Sequence, residues 1–173
     1  MDEDNGRLHL VFGSSAKTSD VIVDGLQAWW DALPEREQQD FALLQIKADN
    51  GPESSGRRTQ FLTRLVAFAD HIGKPIQLLY SPPYHSKYNP VERCWGILER
   101  PRNGAQLVNV ETMLGWAKSM TWKGLAPAAE LSRQVYANGI SLSKQAMRQV
   151  EARLLRNPDL PQCDILIQPA SLR

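Results

Sequence analysis

The sequence predicts an α/β fold. Segments with strand-like period two, or fully apolar strand-like runs, alternate with helical stretches through the first hundred residues, as parallel crossovers require. Past residue 104 the pattern changes to successive helical periods, with only the last segment, "CDILIQP", reading as extended. A domain over residues 1–104 and a mainly helical extension over 105–173 are therefore expected.

"RLHLVF" (Arg7 to Phe12) alternates at period two and predicts the first strand. In "TSDVIVDGLQAWWDAL", Ile22, Leu26, Trp29 or Trp30, and Leu33 recur at helical spacing, with Thr18 and Ser19 as cap candidates. "FALLQIKA" (Phe41 to Ala48) predicts a second, more buried strand that ends on Asp49-Asn50-Gly51-Pro52. From Arg57 to Ile72, Phe61, Leu65, Phe68 and Ile72 form an apolar stripe, and Gly73 supplies the stop. "PIQLLY" (Pro75 to Tyr80) predicts a third strand, parallel to the second because a helix joins them. "SPPYHSKYN" then leads into a helix in which Asn89 fits the N-cap, Pro90 the first turn and Glu92 the capping-box position. In the extension, helical patterns span Val110 to Leu125, Ala128 to Ala137 and Leu142 to Leu155.

No apolar run approaches the roughly 18 residues of a membrane span, and the start Met1-Asp2-Glu3-Asp4 is opposite in charge to a secretory leader. A cytoplasmic protein with no membrane partner is expected. Cys94 and Cys163 are unclustered and read as structural thiols. Charge is unevenly spread. Met1 to Ile46 carries three basic and nine acidic residues, whereas Lys47 to Arg102 carries nine basic and five acidic. The basic surplus thus coincides with "ADNGPE" and "NPVER", which suits a polyanionic partner.

In an open α/β sheet, chemistry gathers at the carboxyl ends of the strands. Asp49 lies at such an end, and a following proline and long helix exclude a tight hairpin there. Glu92 opens the helix after the neighbouring parallel strand, on the same edge. Two carboxylates brought close repel unless a cation lies between them, and Mg²⁺ favours one or two carboxylates with water and phosphate completing its shell. Metal-assisted phosphoryl transfer has this requirement. Asn50 adjoins the first acid, either orienting a metal-bound water or shaping the turn. His85 precedes the second acid, as a loop-anchoring hydrogen bonder or a group near the reacting phosphate. Arg57 and Arg58 stand at a helix start, where the macrodipole disfavours cations, so phosphate binding would explain them. Lys87 and Arg93 flank Glu92 as further DNA-backbone candidates. Trp29, Trp30 and Trp95 read as packing residues.

"ADNGPESSGRRTQFLTRLVAFAD" followed by "LLYSPPYHSKYNPVERCWGILE" resembles the second and third acidic motifs of DDE transposases, RNase H-like enzymes that include retroviral integrases. The resemblance is closest to the bacterial insertion-sequence family named after Rhodopirellula and runs from about "FGSSAKTSD" to "PDLP". It implies an incomplete RNase H-like fold with three recognisable strands, and a two-ion Mg²⁺ site, for which Mn²⁺ substitutes. Asp49 would be its second metal-binding acid and Glu92 its third, with Glu99, seven residues on, as the alternative third acid. The implied partner is DNA, both element ends and target. The family's first aspartate sits on a central strand ahead of the segment matched by "RLHLVF", and no residue here corresponds to it. The resemblance thus implies an N-terminally truncated transposase, catalytically incomplete alone and prone to self-association. Its first strand is expected to re-pair with "FALLQIKA", dimerise or fray. The alternative is a non-catalytic DNA-binding or dimerising remnant that modulates a full-length transposase.

Overall fold

The structure, a computed structural model, describes residues 1–81, 91, 94, 96, 109–137 and 139–170. The chain divides into two compact units. Ala16–Pro82 and Tyr136–Arg173 form one, and Met1–Ser15 and Pro83–Val135 form the other. The boundary expected at residue 104 lies outside the described residues, as do Trp95 and the Asn89 cap.

The first of these units holds a four-stranded mixed sheet. Strands β2 (Leu44–Ala48) and β3 (Ile76–Tyr80) are parallel, with Leu44 opposite Ile76 and Ala48 opposite Tyr80. The expected crossover joins them: helix α3 (Thr59–Ile72), ended by Gly73 at φ 63°. Glycine reaches that left-handed conformation without a Cβ clash. On the other side of β3 lies β6 (Asp164–Ile167), antiparallel, with Ile76 opposite Ile167; β5 (Leu154–Arg156) pairs antiparallel beyond it. The sheet order is β2-β3-β6-β5, so among the described residues β2 is an edge strand.

Helix α1 (Ser19–Asp31) packs on α3, and its first turn is capped by Thr18 Oγ1, which accepts from the Val21 amide. The core lies where the α3 stripe meets the sheet. Phe61, Leu62, Leu65 and Phe68 of α3 are buried against Ile76, Leu78, Ile165 and Ile167. Arg64 of α3 ties the two helices, pairing with Asp20 at 3.1 Å and with Asp24, both of α1. Tyr136 donates to the same Asp24 at 2.9 Å. Near the other end of α3, Arg153 forks onto Asp70 and also donates to the Gln168 carbonyl. Trp29 and Trp30 are packing residues as expected, making edge and tilted contacts with Phe41.

Several boundaries differ from expectation. The second strand begins at Leu44 rather than Phe41, because Phe41 is taken by the two tryptophans. A polar helix α2 (Glu35–Asp40), invisible to hydrophobic periodicity, is fastened by Gln38, whose amide donates to the carbonyls of Trp30 and Leu33. Helix α5 (Lys144–Glu151) is shorter than the Leu142 to Leu155 pattern, since Leu154 enters a strand.

In the other unit, β1 (His9–Gly13) runs parallel to β4 (Ala128–Ser132), with His9 opposite Ala128. This corrects two expectations. The first strand does not re-pair with "FALLQIKA", and residues 128–132 are not helical. Alanine, glutamate and leucine favour helix, but so short a run cannot offset the cost of nucleation, and the main-chain partners offered by β1 decide. Helix α4 (Val110–Ser119) is capped by Asn109 and stops short of Leu125. A small cluster of Leu8, Cys94 and Met120 forms the core of this unit. Neither Cys94 nor Cys163 forms a disulfide.

Candidate active site

Parallel pairing sets the site. Because Ala48 lies opposite Tyr80, β2 and β3 end together, and the two sequence motifs leave the sheet from one edge. Asp49 is the first residue past β2 and is exposed. The loop that follows folds back on it. Ser54 Oγ lies 2.9 Å from the Asp49 carbonyl and 3.1 Å from Oδ1, and the Ser54 amide donates to Gly51 O at 3.2 Å.

Three further contacts hold that loop. The buried Tyr80 hydroxyl, at the end of β3, donates to the Ser54 carbonyl. Ser19, on the first turn of α1, donates to the Glu53 carbonyl at 2.7 Å. Arg58 pairs with Glu53 at 3.2 Å, and its amide donates to Ser55 O at 2.8 Å. Burial raises the Tyr80 phenol pKa well above its ordinary value; Arg156 opposes that shift and the Asp49 carboxylate adds to it. The partner is a carbonyl oxygen, which can only accept, so Tyr80 is the donor of this bond.

The donor set suits a metal-binding acid in one respect. Among the described residues, Asp49 Oδ2 accepts no hydrogen bond and no cation pairs with the carboxylate. An exposed, uncompensated carboxylate on a braced turn can ligate a divalent ion without first breaking an ion pair. No cluster of three or more His, Cys, Asp or Glu positioned for a metal occurs among the described residues.

Of the expected site residues, Asp49, Asn50, Arg57 and Arg58 are brought together in this one loop and at the start of α3. His85, Lys87, Glu92, Arg93 and Glu99 lie outside the described residues. Arg57 is exposed and Arg58 half-buried. Sequence reasoning missed Ser54 and Tyr80. The signal for Tyr80 was present, a tyrosine ending an otherwise apolar strand; Ser54 carried none beyond its place in a turn.

No helix among the described residues is long and apolar enough to cross a membrane. No curated protein and no solved structure matches the chain. The family model for the Rhodopirellula transposase DDE domain matches residues 1–169. That match spans nearly all of the sequence and includes the braced Asp49 turn, and the chain belongs to this transposase family.

Proposed function

We propose that the chain carries the second and third acidic motifs of a DNA strand cleavage and transfer site. Asp49 and Glu92 are its metal-binding acids, with Glu99 the alternative third acid. The single observation that supports this most is the Asp49 carboxylate, held from its Oδ1 side by Ser54 while Oδ2 stays unengaged among the described residues. The family implies divalent-metal chemistry on DNA. We take the ion to be Mg²⁺, with Mn²⁺ as substitute and two ions in the intact site; when bound, they activate the attacking oxygen and stabilise the leaving one.

The chain's own residues supply position and charge. Asp49 and Glu92 hold the ions, Arg57, Arg58, Lys87 and Arg93 hold backbone phosphates, and Asn50 and His85 support the reacting groups. Backbone contacts of this kind fix register without reading sequence. We further propose that no residue of this sequence takes the place of the family's first aspartate, that this polypeptide alone therefore does not transpose, and that it acts in the cytoplasm where its DNA lies.

Titration with Mn²⁺, followed by electron paramagnetic resonance, tests the site. Saturable binding that is lost in both Asp49→Asn and Glu92→Gln is expected. Binding unchanged in Asp49→Asn would refute the assignment, and robust Mn²⁺-dependent nicking by the wild-type chain would refute incompleteness.

A second reading, a DNA-binding or dimerising remnant that modulates a full-length transposase, is favoured by the open edge of β2. Among the described residues this strand pairs with β3 alone, and unpaired edges recruit other strands. Concentration-dependent sedimentation, with DNA binding indifferent to Asp49→Asn and to divalent metal, would establish it.

A further inference from the structure

Beside the Asp49 turn lies a polar cleft of about 160 Å³, lined by Asn50, Ser55, Gly56, Arg57 and Gln162. Its walls come from distant parts of the chain. One is the loop between β2 and α3; the other is the connection between β5 and β6.

The walls are fastened together. Arg156 Nη1 donates to Gly56 O at 3.2 Å on one wall and to Pro161 O at 3.1 Å on the other. The same guanidinium is anchored by Glu151, through Nε at 3.3 Å and Nη2 at 3.0 Å. Gly56 permits the close approach: a Cβ there would lie 3.0 Å from the Gln162 carbonyl oxygen and 3.1 Å from the Tyr80 ring. The second wall is itself ordered, since the Cys163 amide donates to Leu160 O at 2.9 Å and Cys163 O accepts from the Tyr80 amide at 2.9 Å.

Among the described residues, no hydrogen bond or ion pair engages the side chains of Asn50, Arg57 or Gln162. A guanidinium and two carboxamides with no partner among the described residues thus belong to residues that line one cleft, and Arg57 is the charged residue of that lining. The adjoining first turn of α3 has no side-chain cap among the described residues, and the positive end of a helix dipole favours an anion. Such a donor set complements an oxyanion.

We propose that this cleft seats one backbone phosphodiester of the DNA strand, with Gln162 of the C-terminal hairpin and Arg57 as its two principal donors and Arg156 as the positioning residue that holds the walls together. The inference rests on the reading of the chain as a DNA-binding transposase domain and deepens it. It assigns a nucleic-acid contact to a segment far in sequence from the acidic motifs.

The test measures fluorescence anisotropy of a labelled DNA duplex over a salt series, without divalent metal. Gln162→Glu is expected to weaken binding about tenfold and to reduce the slope of log K against log salt by about 0.9, the loss of one phosphate. Arg57→Gln should do the same, and the double variant should lose no further slope. Gln162→Arg should tighten binding, an outcome that misfolding cannot produce. Arg36→Gln, on exposed α2, should change nothing.

Weakening by Arg57→Gln with Gln162→Glu and Gln162→Arg both neutral would overturn the cleft and leave the DNA-binding reading intact. No duplex binding by the wild type would overturn both. Calorimetry with inorganic phosphate supplies the remaining arm: saturable binding of the free anion without duplex binding would overturn the backbone assignment in favour of a free phosphate.

Discussion

Tyr80→Phe isolates the brace under Asp49. The ring stays, so packing is conserved, and the only atom removed is the hydroxyl that donates to the Ser54 carbonyl. Both residues are buried, Tyr80 at 6% and Ser54 at 6% exposure, so water cannot readily replace the lost donor. A buried acceptor left unsatisfied costs about 1–3 kcal/mol, more than the net worth of an ordinary neutral hydrogen bond. For a chain of this size each kcal/mol moves Tm by about 2–4 °C, so a drop of roughly 2–12 °C is expected. Hydrogen exchange should accelerate in the peptide covering residues 49–58.

The pH dependence of that difference has a definite sign. The folded phenol has its pKa raised above the ordinary 10.0, so below pH 10 both states are protonated and the stabilisation is fully present. As pH rises above 10 the unfolded chain releases a proton that the folded chain keeps, and stability falls. Tyr80→Phe removes that alkaline loss. The gap between the two proteins should therefore be constant from pH 6 to 9 and narrow above about pH 10. A Tm change under about 1 °C, or a gap that does not narrow, would refute the brace.

Leu65→Ala, at a fully buried position on α3, should cost about 2–5 kcal/mol through lost transfer energy and an unfilled cavity, read from the urea midpoint. Asp70→Asn tests the fork from Arg153. The Arg153 guanidinium bonded to Asp70 holds its carboxyl below the ordinary 3.8, so the pair stabilises above that pH and the gain is lost as pH falls through the lowered value. The pair is partly exposed, so its worth at neutral pH is under about 1 kcal/mol; stability measured from pH 7 down to 2 should show the wild-type advantage disappearing in acid. Gly56→Val should force the Gln162 wall away and weaken duplex binding in the anisotropy series, and because the added side chain also meets the Tyr80 ring it should lower Tm as well.

The parts of the fold that were legible are those where local pattern and tertiary demand agree. The α3 stripe, its stop at Gly73 and the parallel pairing of β2 with β3 all follow from hydrophobic period and the rule that a helical crossover joins parallel strands. The illegible parts were decided at a distance. Residues 128–132 read as helix by composition and became a strand because β1 offered main-chain partners. Leu154 continued a helical pattern in sequence, yet it pairs opposite Ile167. Of the site, the sequence marked Asp49 by its place at a strand end and Arg57 by its unfavourable position at a helix start. It could not mark Gln162 or Arg156, because neither lies near an acidic motif and only β6 pairing brings them to that edge.

The same pairing shows what the C-terminal strands contribute to the acid. Asp49 follows an edge strand, where a turn tends to fray, yet this one is held from three directions: Tyr80 on the Ser54 carbonyl, Ser19 on the Glu53 carbonyl and Arg156 on the Gly56 carbonyl. Each contact takes up a backbone acceptor, and none touches the carboxylate itself. The arrangement restricts the turn while leaving Oδ2 without a hydrogen bond among the described residues. Apart from the Ser54 hydroxyl on Oδ1, rigidity is supplied through main-chain carbonyls and not through the carboxylate. This bracing also makes β5 and β6 part of the support for Asp49, since Arg156 is the last residue of β5 and the Tyr80 amide is bonded to Cys163 O just before β6.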